Sequence, residues 1–226
     1  MLRNQIAALI LASFTAHAHS FENEPDGFRS IKWGSTPGDI GTSLIKHYNP
    51  SIDIYKLAGI EGTTRVNSFP ISAYIRNEDK KEFGNVVINE VHYLFYKDRF
   101  FAAVLNYSDS LYMEAGRYYT QTGNGPRPIN LRAKSSVDSL LEKSFGTPTE
   151  KPGFMSAMSD KRKLVTYVGE QTKIKSECDE NGIGCQLVFF SSTLALDFTK
   201  DLKSAVAAQR AEIEKINAKE KAKPDF

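Results

Sequence analysis

The sequence predicts an α+β fold, in which an antiparallel sheet built of hairpins is covered by helices on one face. Three observations support this prediction. From residue 52 to residue 107 the pattern changes to a period of two, which is typical of strands with one buried face. Apolar residues at helical spacing occur before and after this region. The turns between the strands are of hairpin length, and hairpins join antiparallel neighbours.

The composition is that of a globular protein, with 41% hydrophobic and 25% charged residues in a chain of 226. The 29 lysines and arginines nearly balance the 27 aspartates and glutamates, which gives a formal net charge of +2. So small a charge creates no basic field for a phosphate backbone, and we therefore expect no nucleic-acid partner. A chain of this length forms one or two domains and buries a substantial core.

The first 18 residues have the pattern of a secretory signal peptide. One positive charge, Arg3, precedes a short apolar stretch over residues 6–14, and small residues follow at Ala16 and Ala18. We expect cleavage after Ala18 and a periplasmic or secreted mature protein. A buried N-terminal helix is the alternative interpretation. No apolar run reaches the roughly 20 residues that cross a bilayer, so no transmembrane segment is predicted.

The two cysteines, Cys178 and Cys185, are predicted to form a disulfide, because export places them in an oxidising compartment. The turn-rich residues 179–184 allow the two sulfurs to meet across a hairpin. A redox pair is usually spaced Cys-x-x-Cys, which this pair is not. A zinc site needs more ligands than two cysteines and the histidines of the mature chain, which are His19, His47 and His92. We therefore predict no metal site and no cofactor.

The first part of the mature chain predicts a helix followed by strands. Thr36 is a suitable N-cap and Pro37 fits the first helical position. The apolar stripe of this helix consists of Ile40, Leu44, Ile45 and Tyr48. The helix ends before Pro50. Strands are predicted at residues 71–76 and in a hairpin that turns at residues 97–99. One side of that hairpin carries Val87, Asn89, Val91, Tyr93, Phe95, Phe101, Ala103, Leu105 and Tyr107.

The second part repeats the order of helix and then strands. A short amphipathic helix is predicted over residues 111–119, and an exposed loop rich in glycine and proline over residues 121–128. A further helix ends at Phe145, with Gly146 as its cap residue. Strands follow, and the chain ends in a charged helix from Leu202 to Ala222. The three strands are predicted at residues 164–168, 172–176 and 186–190.

The predicted domain organisation follows from this order of elements. Residues 1–18 are the signal peptide and residues 19–200 form a single α+β domain. Within that domain, residues 28–107 and 108–200 are possible halves of a structural duplication, although they share no sequence identity that marks an internal repeat. Residues 201–226 form the charged C-terminal helix.

Three motifs carry a resemblance to a known group of proteins. They are Phe28-Arg29-x-Ile31-x-Trp33-Gly34, the Tyr-x-Phe hairpin at Tyr93, and Phe145-Gly146-x-Pro148 at a helix end. With these motifs the chain resembles a loose group of uncharacterised exported bacterial proteins, over most of residues 28–190. The resemblance implies a periplasmic α+β protein and no catalytic residues. The loop at residues 123–128 and the long C-terminal helix depart from the usual pattern of the group.

Several side chains are candidates for structural or binding roles. Trp33 ends the opening segment next to Phe28 and Ile31, and we interpret it as a structural anchor. A concave sheet surface would present its ligand-binding side chains at Tyr74, His92 and Tyr96. Partner contacts are predicted in the exposed loop and on the narrow apolar stripe of the C-terminal helix, at Arg127, Ile213 and Ile216.

These features favour an exported, non-enzymatic interaction or binding protein of the bacterial envelope. The chain contains no nucleophile-elbow, zinc-protease or phosphate-loop motif. A periplasmic small-ligand-binding protein is the first alternative, and it requires a pocket of a few hundred Å³ with convergent polar groups. An envelope hydrolase of unrecognised type is the second, and it requires titratable groups with perturbed pKa values in a cleft.

Overall fold

The computed structural model describes residues 21–47, 52–66, 68–107, 131–150, 164–178 and 185–221. Predictions for the signal peptide, for the helix over residues 111–119 and for the loop with Arg127 lie outside this part of the chain. In chain order, the elements are β1 (Gly27–Phe28), β2 (Ile31–Lys32), α1 (Pro37–Ile40), β3 (Leu44–His47), α2 (Ile54–Leu57), β4 (Ile71–Arg76), β5 (Glu82–Phe83), β6 (Val86–Tyr96), β7 (Arg99–Tyr107), α3 (Leu131–Phe145), β8 (Val165–Val168), β9 (Thr172–Cys178), β10 (Cys185–Ser191) and α4 (Ser192–Lys221).

One antiparallel sheet organises the described residues, and the predicted α+β class with a C-terminal helix is confirmed. The strand order is β3-β4-β6-β7-β10-β9-β8, and the short β5 pairs beside β6. Strands β1 and β2 form a separate small hairpin. The pairing of β7 with β10 joins the strands of the two predicted halves into one continuous sheet.

Helices cover both faces of this sheet, so the prediction of a single covered face is wrong. Strand β6 alternates between the two faces. Its Tyr93 belongs to a first core, which includes Leu141 of α3. Its neighbour Leu94 belongs to a second core, which includes Leu202 of α4. Because the central strands are apolar on both faces, each face needs a helix to exclude water.

The hairpin β6–β7 forms at the predicted turn, where Lys97 and Asp98 have φ values of 49° and 57°. Such a two-residue turn with positive φ matches the right-handed twist of the strands. A register shift between Ile88 and Glu90 changes which side chains at the start of β6 face the core. Val87, which was predicted to share the face of Val91, is 51% exposed, and Ile88 is buried instead. One extra residue in a strand moves the preceding side chains to the opposite face, so Val87 does not join Val91 and Tyr93.

The first predicted helix is much shorter than its apolar stripe indicated. Helix α1 ends at Ile40, after a capping box between Thr36 and Asp39. Gly41 follows with a φ of 82°, a backbone conformation that favours glycine and stops a helix. Leu44 and the residues up to His47 then form β3, which pairs with β4. Strand pairing thus outweighs the helical spacing of these apolar residues.

The C-terminal helix begins at Ser192, directly after β10 and ten residues before its predicted start. Its buried stripe consists of Leu194, Phe198, Leu202 and Val206. This spacing of four places one side chain per turn on the sheet. Residues 211–220 are exposed throughout. The helix therefore packs through its first half and projects through its second.

The predicted disulfide between Cys178 and Cys185 is confirmed. The two cysteines are directly opposite each other in the register of β9 and β10. Their Cα atoms are 4.0 Å apart, and both residues are buried in the first core. The bond therefore fixes the register of the β9–β10 hairpin at the end where residues 179–184 connect the strands.

Candidate ligand-binding groove

A groove of about 690 Å³ lies between α2, the first turns of α4 and the edge of the sheet at β8 and β9. Sites for small molecules in proteins commonly measure 300–1,000 Å³. The groove is lined by Lys56, Leu57, Ala58, Gly59, Val168, Gly169, Glu170, Lys173, Lys175, Phe190, Ser192, Thr193, Ala195, Leu196, Phe198 and Thr199.

Strand β9 supplies the charged wall of the groove. Its side chains alternate, so that Thr172, Ile174 and Ser176 are buried on one face. Lys173 and Lys175 point to the other face and line the groove. Glu177 follows on that same face. The spacing Lys-x-Lys-x-Glu along a single strand thus gathers two ammonium groups and a carboxylate on the side that α4 covers.

The Glu177 carboxylate holds two of the three groove lysines. Its side chain is only 8% exposed, and its oxygens lie 3.6 Å from Lys56 Nζ and 2.9 Å from Lys175 Nζ. Lys56 comes from α2, which the Asp53 side chain caps by accepting from two backbone N–H groups. The shared carboxylate therefore positions lysines from two separate elements.

Lys173 is the groove lysine that is available to a ligand. It is exposed, and within the described ranges it makes no ion pair. The turn between β8 and β9 adds one acidic side chain, Glu170, to the lining. Counted over the described residues, three lysines outnumber Glu170 and the buried Glu177, so this part of the charged wall carries a net positive charge. That charge favours an anionic group in the groove.

Apolar side chains form the floor and the rim of the groove. Phe190 and Phe198 are buried at the floor, while Leu196 is 72% and Val168 is 38% exposed at the rim. Large apolar side chains that gather around a concave surface mark a site for a ligand or a partner. The groove therefore offers an apolar surface beside a cationic wall.

A hydroxyl group of the groove lining is hydrogen-bonded to the backbone. The Ser192 hydroxyl donates a hydrogen bond to the carbonyl oxygen of Gly169, at 3.0 Å. Among the residues that the structure describes, no histidine lines the groove. Four described tyrosines have raised pKa values, and none of them lines this groove. Tyr93, Tyr107 and Tyr167 lie in the first core. Tyr96 lies in the second core, where its hydroxyl donates a hydrogen bond to Asp201.

The three side chains predicted to line a ligand site do not share one surface, and none lines this groove. Tyr74 packs edge-on against Phe95, with ring centroids 5.0 Å apart, on the side of the first core. Tyr96 lies on the opposite side and donates its hydroxyl hydrogen bond to Asp201 of α4. His92 shares the face of Tyr96, because both have even numbers in β6. Residue parity along paired strands therefore separates Tyr74 from the other two.

His92 is completely buried, which differs from a side chain on an open concave surface. Its ring stacks on that of His47, with centroids 5.3 Å apart and an angle of 8° between the planes. Burial lowers the pKa of His92, and the neighbouring Glu90 carboxylate partly opposes this effect. Burial therefore favours the neutral form of this imidazole.

The remaining predicted residues occupy separate places. Trp33 is half-buried, and its indole N–H donates a hydrogen bond to Thr172 Oγ1 at 2.7 Å. Its ring stacks on Phe100 at 5.0 Å between centroids. Ile213 and Ile216 are 42% and 50% exposed on the projecting part of α4. Arg127 lies outside the described residues.

Sequence reasoning missed the lysines of the groove. The signal was present in the alternation Lys173-Ile174-Lys175-Ser176-Glu177, because a period of two places these charges on one face of a strand. Lys56 could not be added in the same way, since it is more than a hundred residues away in the chain and reaches the groove only through the fold.

Comparisons with protein-family models, with curated proteins and with solved structures found no match to this chain. The part of the chain that the structure describes contains no helix with the length and apolarity to span a membrane. The geometry of the groove is therefore the basis for a functional proposal.

Proposed function

We propose that the protein is an exported, non-enzymatic binding protein whose ligand is a small anionic amphiphile, with a carboxylate-like head and an apolar chain. The observation that carries this proposal is the presence of three lysines and exposed apolar side chains in one groove. Export is supported by the buried Cys178–Cys185 disulfide, because such bonds persist in oxidising compartments.

The two parts of the ligand match the two parts of the groove. The anionic head would pair with Lys173 at the charged wall, and charge-assisted hydrogen bonds of this kind contribute about 1.5–3 kcal/mol each. The apolar chain would cover Leu196 and Val168, which are otherwise in contact with water. Burial of apolar surface contributes roughly 25 cal/mol per Å². Both contributions are needed because binding also costs translational and rotational freedom.

Displacement of a fluorescent anionic amphiphile, anilinonaphthalene sulfonate, tests this function. We expect decanoate to displace the probe and decanol, which has the same chain and no charge, to displace it much less well. Lys173→Gln should weaken decanoate binding about 10-fold, since it removes one charge-assisted contact. Leu196→Ser should weaken both compounds. Lys219→Gln, an exposed lysine on the projecting end of α4, is the matched control and should have no effect.

Two results would contradict the proposal. Equal displacement by decanoate and decanol would show that the charged wall does not recognise the head group. An unchanged affinity of the Lys173→Gln variant for decanoate would remove the lysine from the binding site.

A protein partner is a second candidate function, favoured by the projecting end of α4. Ile213 and Ile216 stand three residues apart on that end and both are exposed. A narrow apolar stripe on an otherwise charged helix is typical of contacts with another helix. Deletion of residues 211–226, which removes this stripe, tests the candidate.

A further inference from the structure

A second group of functional side chains lies on β3 and β6, away from the groove at β8 and β9. His47 is the last residue of β3 and pairs with Ala73 of β4, which in turn pairs with Leu94 of β6. Glu90 and His92 are two residues apart in β6 and therefore share a face. Pairing of the three strands thus brings together side chains that are separated by more than forty residues in sequence.

The three side chains converge at their polar atoms. One potential ligand atom from each of His47, Glu90 and His92 lies within 4.8 Å of the other two. His92 Nε2 and Glu90 Oε2 are 2.7 Å apart. The stacked arrangement of the two imidazole rings keeps their edges side by side. This is a compact set of two nitrogen donors and one carboxylate.

Three ring nitrogens of the two histidines are buried without a hydrogen bond within the described ranges. They are His47 Nδ1 and both Nδ1 and Nε2 of the fully buried His92. Buried polar atoms are nearly always satisfied, because an unpaired one costs free energy. Unpaired nitrogens on two adjacent rings therefore require an explanation. One ion binds one nitrogen of each ring, so a bound cation would supply a partner to both imidazoles.

We propose that His47, Glu90 and His92 bind a divalent transition-metal ion of the zinc and copper class. Two imidazoles and one carboxylate form a donor set that suits these ions, whereas calcium and magnesium prefer oxygen donors alone. In a tetrahedral zinc site the bonds measure about 2.0–2.1 Å, so neighbouring ligand atoms are about 3.3 Å apart. The side chains therefore need to approach one another by no more than about 1.5 Å.

The site would keep one coordination position open. Glu90 is 38% exposed at its side chain and His47 is half-buried, so solvent reaches the site from their side. Three protein ligands with a water in the fourth position are typical of zinc sites that exchange ligands, whereas closed structural sites use four protein ligands. The ion can therefore enter and leave without unfolding of the strands. This inference does not depend on the function proposed for the groove.

Zinc binding to the full disulfide-bonded protein tests the inference. We expect isothermal titration to show one zinc ion per chain and cobalt to give the visible spectrum of a tetrahedral site. His47→Gln and Glu90→Gln change the two accessible ligands, and each should weaken zinc binding about 100-fold or more, since even outer-shell changes at metal sites cost 10–100-fold. Glu212→Gln, an exposed glutamate on the projecting end of α4, is the matched control and should bind zinc as the unchanged protein does.

The outcomes separate the metal site from an ordinary contact between His92 and Glu90. Unchanged zinc affinity in both His47→Gln and Glu90→Gln would overturn the inference, as would the absence of any zinc binding by the unchanged protein. His92→Asn changes a fully buried residue, so its binding result counts only where circular dichroism shows a folded protein. The His47→Gln and Glu90→Gln variants, at partly exposed positions, keep the test decisive if His92→Asn does not fold.

Discussion

Buried tyrosine hydroxyls are the main titratable groups of the first core. The Tyr93 hydroxyl donates a hydrogen bond to Asp79 at 2.9 Å, and Asp79 in turn forms a salt bridge with Arg29. Burial, followed by the nearby Asp79 carboxylate, raises the pKa of Tyr93 to about 12. Burial likewise raises the pKa of Tyr167 to about 12, and it raises the pKa of Tyr107 as well. These groups stay protonated in the folded protein under conditions that ionise them in the unfolded chain.

Stability should therefore fall in alkaline solution. A tyrosine in the unfolded chain ionises with an ordinary pKa of about 10, whereas folded Tyr93 and Tyr167 hold their protons to about pH 12. Between these values the unfolded chain releases protons that the folded chain retains, so the free energy of unfolding decreases by up to about 1.4 kcal/mol per pH unit for each tyrosine. Tyr93→Phe should make this decrease less steep. Chemical denaturation at pH 9 and pH 11 measures the slope, and an identical slope in the variant would contradict the assignment.

Trp33 links the opening segment to the sheet through its ring stack on Phe100 and its hydrogen bond to Thr172. We expect Trp33→Ala to lower the free energy of unfolding by about 3 kcal/mol, because it removes a large packed side chain. Trp33→Phe keeps a ring for stacking and should lose only about 1 kcal/mol, the typical net value of one hydrogen bond. Thermal unfolding of both variants measures the difference. Equal stability of Trp33→Ala and the unchanged protein would show that the indole is not a structural anchor.

At the scale of elements, local sequence signals identify strands and caps well and element lengths poorly. The turn at Lys97 and Asp98 was predictable because a two-residue hairpin turn is a local feature. The change from α1 to β3 was not, because the apolar residues after Gly41 fit a helical stripe and only pairing with β4 makes them a strand. The start of helix α4 was predicted too late. Its true start was readable from the sequence, because Leu194 and Phe198 continue the apolar stripe of Leu202 at the same spacing.

The projecting part of α4 should be dispensable for folding. Residues 211–220 are exposed, while the packed part ends near Arg210, whose guanidinium donates hydrogen bonds to the Glu61 carbonyl and the Thr64 hydroxyl. Deletion of residues 211–226 keeps these contacts and should leave the melting temperature unchanged to within about 2 °C. If Ile213 and Ile216 contact a partner, the deletion should also reduce the yield of protein that co-purifies with the chain.

The deletion has two separable readouts. A large decrease in melting temperature would show that this segment belongs to the core. An unchanged yield of co-purified protein would remove the partner role of Ile213 and Ile216 and leave the ligand groove as the remaining proposed binding surface. Ile213→Ala with Ile216→Ala in the full-length chain is the control, because it alters the apolar stripe without shortening the helix.

At the scale of the whole molecule, both candidate sites arise from contacts between distant segments, which limits what sequence could predict. The Lys-x-Lys-x-Glu spacing of β9 and the Glu-x-His spacing of β6 were readable as residues on one strand face. Their partners Lys56 and His47 come from α2 and β3, and no local pattern connects them. The continuous sheet through β7 and β10 was likewise beyond local signals, because the residues that pair are some eighty positions apart.

The continuous sheet predicts that the described elements unfold as one cooperative unit, rather than as the halves 28–107 and 108–200. Strands β6, β7 and β10 contribute side chains to both cores. Disruption of these strands would therefore remove packing contacts from both cores at once.

Leu141 of α3 and Leu202 of α4 are fully buried in the first and second core, respectively. Leu141→Ala and Leu202→Ala should each destabilise the protein by about 2–5 kcal/mol. Calorimetry should show one transition that both changes move to lower temperature, with equal calorimetric and van't Hoff enthalpies. Two transitions, each shifted by only one of the changes, would show that the two faces of the sheet unfold independently.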